Sequence, residues 1–328
     1  SDTIFASFDN RKRDDFTPYI LVSTDRGKNW KSIVTDLPEE GTVHTLAQDY
    51  QDENLLFAGT EFGIFVSLNM GENWIRLKNG IPDIPVRDID IQEEECDLVL
   101  ATFGRGFYIL DDYAPLRSLS PSVLKKEAAL FPVADSYEFI QTGNKYGQGS
   151  DRYLGENQPF GAIITYYLKE TYQTEREKRR KKEKELFKDG EKIEPLSWAE
   201  LRDEKKEEPP HLIFTIKNDA GITVRQLRTR PGTGIQRIVW DLQYPASSFP
   251  PELKKERYNP LAKIEGSYMV LPGKYSVSLA KSIKGKITSL DGPREFTVKA
   301  LDNTTLPAEN RKELVAFQEK VNELARIM

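Results

Sequence analysis

One phrase written twice constrains this chain more than anything else in it. "STDRGKNW" at 23–30 and "SLNMGENW" at 67–74 both read Ser-x-Asp/Asn-x-Gly-x-x-Trp; Asp25 and Asn69 lie 44 residues apart, as do Trp30 and Trp74. The flanking segments repeat as well. "TIFASF" at 3–8, "LLFAGTEFGIFVS" at 55–67 and "LVLATFGRGFYIL" at 98–110 share an apolar strand, a small residue, a turn and a second strand. "TVHTLAQD" at 42–49 and "PVRDIDIQ" at 85–92 alternate at period two between them. Short strands spaced in this way, with turn residues between, predict an all-β array. A period in the forties is what a four-stranded propeller blade needs.

The phrase itself reads as turn chemistry. Gly27 and Gly71 supply the left-handed backbone of a tight turn, and Asp25 and Asn69 accept bonds from its N–H groups, helped by Ser23 and Ser67. Trp30 and Trp74 fall on the returning strand, where a large ring is expected to fill the gap toward the next blade. The role predicted for all eight residues is structural.

Ser23, Asp25, Gly27 and Trp30 spell the Asp-box of BNR-type propellers in full, while the second copy departs at Asn69. From "DDFTPYILVSTDRGKNW" to "ATFGRGFYILDDYAPLR" the chain resembles the last blades of bacterial sortilin-like repeat proteins, often labelled glycosyl hydrolases. Members of that family usually carry His and Trp where this chain has Phe103 and Tyr108. The resemblance implies a secreted, periplasmic or cell-envelope protein. Residues 1–112 hold about ten strands, or about two and a half blades, and a closed ring needs four or more. The expectation is that 1–117 are C-terminal blades, with the others upstream, on another chain or on a removed fragment.

Past the array, 118–158 reads as a linker punctuated by Pro121 and Pro132. Strand patterns resume at 159–300: "GAIITYYL", the hairpin "HLIFTIKNDAGITVRQL", "IQRIVWDLQYP", "GSYMVLPGKYSVSLA" and "REFTVKA". They predict an antiparallel sandwich of immunoglobulin type with Trp240 as its core aromatic, and they resemble the Ig-like domain that follows the propeller in the same family. A charged insertion, 171–210, holds twelve basic and twelve acidic side chains. Mixed signs at helical spacing predict a solvated helix and argue against a nucleic-acid surface. Ser197 and Glu200 form a capping box for a second helix, on which Trp198 is expected to pack back onto the body. The segment 301–328 ends in an amphipathic helix; Pro307 suits its first turn, and the face bearing Leu314, Phe317, Val321 and Leu324 is expected to dock on its own protein.

Chemistry is sparsely signalled. With Cys96 the sole cysteine and His44 and His211 the only histidines, a disulfide framework and a Cys-based zinc cluster are excluded, and no metal or cofactor is expected. No run approaches the length of a membrane span. A glycosidase needs two carboxylates across a cleft. Asp88 and Asp90 share one strand face and are the catalytic candidates, with Asp49, Asp111 and Asp112 also carboxylates of the array, though alternation on a half-exposed strand gives the same pattern. "ATFGRGFYILDDY" offers a ligand-binding set: Phe103, Arg105 between Gly104 and Gly106, Tyr108, Asp111 and Asp112. The reading that follows is a non-catalytic binding or scaffold protein presenting a propeller face to a protein, peptide or glycan. The alternatives are a glycoside hydrolase whose carboxylates lie in other blades, and a subunit of a bacterial envelope assembly.

Overall fold

The structure, a computed structural model, describes residues 2–78, 80–139, 155–193, 195–245, 268–301 and 310–327. It is mostly β and divides into two units, Ser1–Val123 and Leu124–Met328.

Three small antiparallel sheets follow one another in the first unit. One comprises β1 (Ile4–Asn10), β2 (Asp15–Ser23) and β3 (Lys31–Ser32); the next β4 (Val43–Gln48), β5 (Leu56–Thr60), β6 (Gly63–Ser67) and β7 (Ile75–Leu77); the third β8 (Val86–Gln92), β9 (Asp97–Thr102) and β10 (Phe107–Leu110). In each, neighbours in sequence are neighbours in the sheet. The repeat in the sequence is a repeat in register: Ile4 pairs with Ser23 as Leu56 pairs with Ser67, so β1, β2 and β3 correspond to β5, β6 and β7. By the same rule β8, β9 and β10 correspond to β4, β5 and β6. Among the described residues the first sheet lacks a counterpart of β4, and the third lacks a counterpart of β7.

Burial follows from the alternation. Ile20, Val22, Leu56, Ala58, Phe65 and Trp74 form one apolar cluster between the first two sheets. Phe57, Ile64, Val66, Leu98 and Leu100 form another between the second and third. Strand β5, read in sequence as an unbroken apolar run, is therefore buried on both faces. After β10 the chain turns into a 3-10 segment, Ala114–Ser118, and α1 (Pro121–Lys125).

The second unit is built on two sheets that share one core. Strands β11 (Ala128–Leu130), β13 (Ala162–Leu168) and β16 (Gly234–Trp240) form the smaller. Strands β12 (Ser136–Glu138), β18 (Lys286–Ala300), β17 (Gly273–Ile283), β14 (His211–Asn218) and β15 (Thr223–Thr229) form the larger, in that order. Trp240 is fully buried there, edge-on to Tyr275 and Phe296. Two expectations change. Residues 128–130 and 136–138 are strands of these sheets, not linker, because the three-residue stretches complete sheet edges that a short apolar run does not advertise; 140–154 lie outside the described residues. The pairing of β12 with β18 is parallel, whereas an antiparallel set was expected.

Between β13 and β14 stand α2 (Glu175–Lys188) and α3 (Trp198–Lys206), each opened by a capping box, Thr174 with Glu177 and Ser197 with Glu200. Arg179 joins them, bonding Glu204 on α3 and Glu183 four residues on along α2. Trp198 does not pack back: it is 83% exposed. The last helix, α4 (Arg311–Ile327), also departs from expectation. Leu314, Phe317, Val321 and Leu324 face outward, and among the described side chains of the helix Val315 is the buried one. Arg311, which reaches Glu138 at 3.3 Å, and Val315 lie one turn apart, and that face is the one turned to the sheet. Pro307 lies outside the described residues.

Candidate functional site

The repeated turns close on themselves. Ser23 accepts from the Gly27 N–H at 2.8 Å and donates to Asp25, whose carboxylate takes the Asn29 N–H at 2.8 Å. Ser67, Asn69, Gly71 and Asn73 repeat the pattern at 2.8–3.0 Å. Arg26 and Gly27, like Met70 and Gly71, both have positive φ, so the turn needs two left-handed residues in succession. The Asn29 backbone N–H, with its side chain and Ser23, holds the Asp25 carboxyl at about 2. The rings were expected to cover the turn and to fill the gap toward the next blade: Trp30 does lie over its own turn, whereas Trp74 packs toward the preceding sheet, its indole N–H bonding the Ile33 carbonyl at 2.7 Å. Trp30 reaches only the Gly27 carbonyl, 3.1 Å away.

A second closed network explains Asp49 and Tyr113. Asp49 accepts Arg117 in a two-pronged pair at 2.8 and 2.9 Å, the Tyr113 hydroxyl at 2.5 Å and the Gln51 and Asp52 N–H groups. Burial works against ionisation, yet these donors hold the carboxyl below its usual range. Burial and the Asp49 charge push the Tyr113 phenol up. Cys96 sits 3.0 Å from the Tyr50 hydroxyl beside the same guanidinium. Through Arg117 this network ties the 114–118 segment to Asp49, just past β4.

The ligand set read from 103–112 is not assembled. Phe103 and Arg105 stand in the β9–β10 turn, with Gly104 and Gly106 at positive φ. Asp111 and Asp112 lie past the far end of β10, about 13 Å away at strand rise. Tyr108 packs inward against the second cluster. Asp112 holds the register position of Asn69 but accepts the Ala114 N–H two residues on, where Asn69 accepts from Asn73 four residues on, so the Asp-box turn is not repeated there. Asp88 and Asp90 are exposed on β8, each capping the next residue's N–H, and face the same way from one strand.

What the structure does bring together lies at the β1–β2, β5–β6 and β9–β10 turn end. Strands β4 and β8 each carry one extra residue against their partners, at His44 and at Arg87, 43 positions apart. A bulge re-aims its side chain. These two repeated bulges aim theirs at each other: an Arg87 guanidinium nitrogen lies 3.3 Å from His44 Nδ1. Because a guanidinium only donates, Nδ1 accepts, and Nε2 carries the proton it gives to Glu61 at 2.8 Å. Burial and the neighbouring Arg87 charge lower the His44 pKa against the opposing pull of Glu61, which keeps the ring neutral. Glu61 also lies 3.6 Å from Arg11 and 3.9 Å from Arg87, and Arg11 is held by Asp9 at 2.7 Å. The Arg87 guanidinium covers the exposed Phe103 ring, 5.3 Å to its centroid. Phe62, also exposed, stands next to Glu61.

Three sheets therefore supply one rim of two arginines, two carboxylates, a neutral imidazole and exposed aromatic faces. Such a rim can pair with carboxylates, donate to hydroxyls and stack on flat apolar faces. Phe103 was legible in sequence as part of it. Glu61, Arg11 and Asp9 were missed; the signal available was the equal offset of His44 and Arg87 within "TVHTLA" and "PVRDID".

Among the described residues no group of His, Cys, Asp and Glu is placed to hold a metal, and no helix is long and apolar enough to cross a membrane. No family model matches the chain, and no curated protein does. Among solved structures it is similar to the extracellular domain of the BT4673 one-component system from B. thetaiotaomicron, at 9% identity, with 86% of this chain and 28% of that one covered and a TM-score of 0.24. It is similar to the GH74 xyloglucanase from Xanthomonas campestris at 16% identity, over 51% of this chain and 25% of that one, TM-score 0.27. YCF48 bound to the D1 peptide is 14% identical over 46% of this chain and 40% of that one, TM-score 0.21. The chain thus spans between 25% and 40% of the length of these structures, and likenesses at such TM-scores carry no argument about its activity.

Proposed function

We propose that the chain is part of a binding protein whose recognition surface is the turn rim built by Arg11, His44, Glu61, Phe62, Arg87 and Phe103. The ligand class is a protein, peptide or glycan, engaged by stacking on the phenyl rings and by hydrogen bonds to the arginines. One observation carries the reading: matching bulges in successive sheets converge His44 and Arg87 on Glu61, a geometry that sheet building alone does not require. The three stacked sheets and their two self-bonded Asp-box turns support the finer reading of a propeller segment of BNR or sortilin-like type, completed by further sheets of the same repeat. The two-sheet unit around Trp240 supports an Ig-like brace. A secreted or envelope setting follows from that resemblance.

The test is a peptide and glycan array probed with the 328-residue protein and with an Arg87→Ala, Phe103→Ala double variant. Selective capture that the variant loses supports the rim. Capture that survives the double substitution, or turnover of any arrayed glycan, counts against it.

A further inference from the structure

The charged insertion gathers cations that it does not pair. It holds as many acids as bases, and α2 pairs several of them: Glu175 takes Lys178 and Lys284, and Arg179 bonds Glu183 and Glu204. Arg176 and Arg180 on α2 and Lys205 on α3 are left out, as is Arg230 just after β15. Among the described residues the side chain of none of these four has an ion pair or a hydrogen bond. All four line one cleft of about 690 Å³, set between the start of α2, the end of α3 and the loop that follows β15. Arg176 and Arg180 stand one turn apart on one face of α2, an arrangement of like charges that helix building alone disfavours.

The carboxylates of the cleft are already engaged. Both Glu204 oxygens accept the Arg179 guanidinium, at 2.6 and 2.7 Å. Glu177 accepts the Thr174 N–H at 2.9 Å, and Glu207 the Glu175 N–H at 2.8 Å. The bond from Arg179, with the charges of Arg176 and Arg180 behind it, holds the Glu204 carboxyl below its usual range. The walls are fastened too. The Thr171 hydroxyl donates to the Pro231 carbonyl at 2.9 Å, which ties the lead-in of α2 to the loop carrying Arg230. The Arg179 fork and the Glu207 bond fix α3 on α2. Four exposed cations are therefore held around one space with no counter-charge of the chain's own bonded to them.

We infer that this cleft binds a tetrahedral oxyanion of two or more negative charges, a phosphate or sulfate group, free or as an ester. Arginine forks match two oxygens of such a group at once, and Lys205 adds a point charge. The volume falls in the range of about 300–1,000 Å³ usual for small-ligand sites. The whole chain carries a net charge of -5, so attraction of an anion has to be local. None of the rim residues lines this cleft, and the inference stands or falls apart from the binding reading above.

The probes are inorganic pyrophosphate and a heparin hexasaccharide, each titrated by calorimetry into the 328-residue protein at physiological salt, where exposed charges are screened beyond about 8 Å. One saturable site is expected. Arg180→Gln with Arg230→Gln should weaken it about tenfold or more. Lys217→Gln with Arg225→Gln, which removes the same charge from the same unit outside the cleft, should leave it unchanged. Binding of pyrophosphate supports the site and makes free phosphate a sufficient ligand; binding of the hexasaccharide alone supports it with a sulfate ester on a glycan. Heat from neither probe would overturn the proposal, as would equal weakening by the two double variants. The titration of the unaltered chain decides the first point whatever the variants do.

Discussion

Trp30 and Trp74 hold one position in two copies of one motif, yet Trp30 is 43% exposed and Trp74 only 6%. The difference is what lies behind them. Trp74 has the first sheet to pack on and a carbonyl of that sheet to bond, whereas Trp30 has neither. Trp74→Ala is expected to cost about 3–5 kcal/mol, the range for a large buried ring, and Trp30→Ala under about 1 kcal/mol. Denaturant unfolding of the two variants measures the contrast. His44 belongs to the same scale. Its folded pKa lies below the unfolded value near 6.5, so its contribution is complete above 6.5 and is lost as pH falls from there toward the folded pKa. Thermal melts between pH 7 and 5 should therefore fall more steeply for the wild type than for His44→Gln, which carries no proton to gain. Equal slopes would remove His44 from the account.

At the scale of elements, the regular parts of the array were legible because strand periodicity and turn chemistry are local. "LLFAGT" announces a buried strand and "STDRGKNW" its turn without reference to anything distant. Phe103 was legible as a site residue, but the convergence of His44 and Arg87 on Glu61 was not, since a bulge is a mismatch between two strands and neither strand shows it alone. The outward stripe of α4 failed for the opposite reason: amphipathic spacing says that a face seeks cover but not that cover is present. The end of the expected blades at 117 gives no hint in sequence that Arg117 reaches back 68 residues to Asp49. That pair is largely buried, with the Asp49 side chain fully enclosed. Asp49→Ala strands a guanidinium and a phenol without an acceptor, and the expected loss is about 3–5 kcal/mol. Arg117→Met, Asp49→Leu together should recover part of it, because two apolar groups leave no orphaned charge. Urea titration of the single and double variants checks both signs.

For the whole molecule the decisive fact is that the sheet array repeats its interfaces but ends on exposed ones. Phe57, Ile64 and Val66 carry the middle sheet's contact with the third. Their counterparts on the third sheet's outer face include Phe107 and Ile109, which are 75% and 59% exposed. Ile4 and Phe8 are exposed on the first sheet. An apolar face of this sort is tolerated by the fold but costs solubility. The same substitution should thus act oppositely at equivalent places. Ile64→Lys with Val66→Lys puts two charges into a sealed interface, and the first unit should no longer fold. Phe107→Lys with Ile109→Lys touches only solvent-facing side chains, so the stability change should stay within about 1 kcal/mol. Binding of a dye for apolar surface should drop, and light scattering at high concentration with it. Measured on both doubles, loss of folding by the second pair would mean that the outer face is already covered within residues 1–328, and the array would then be closed at that end by contacts other than a further sheet.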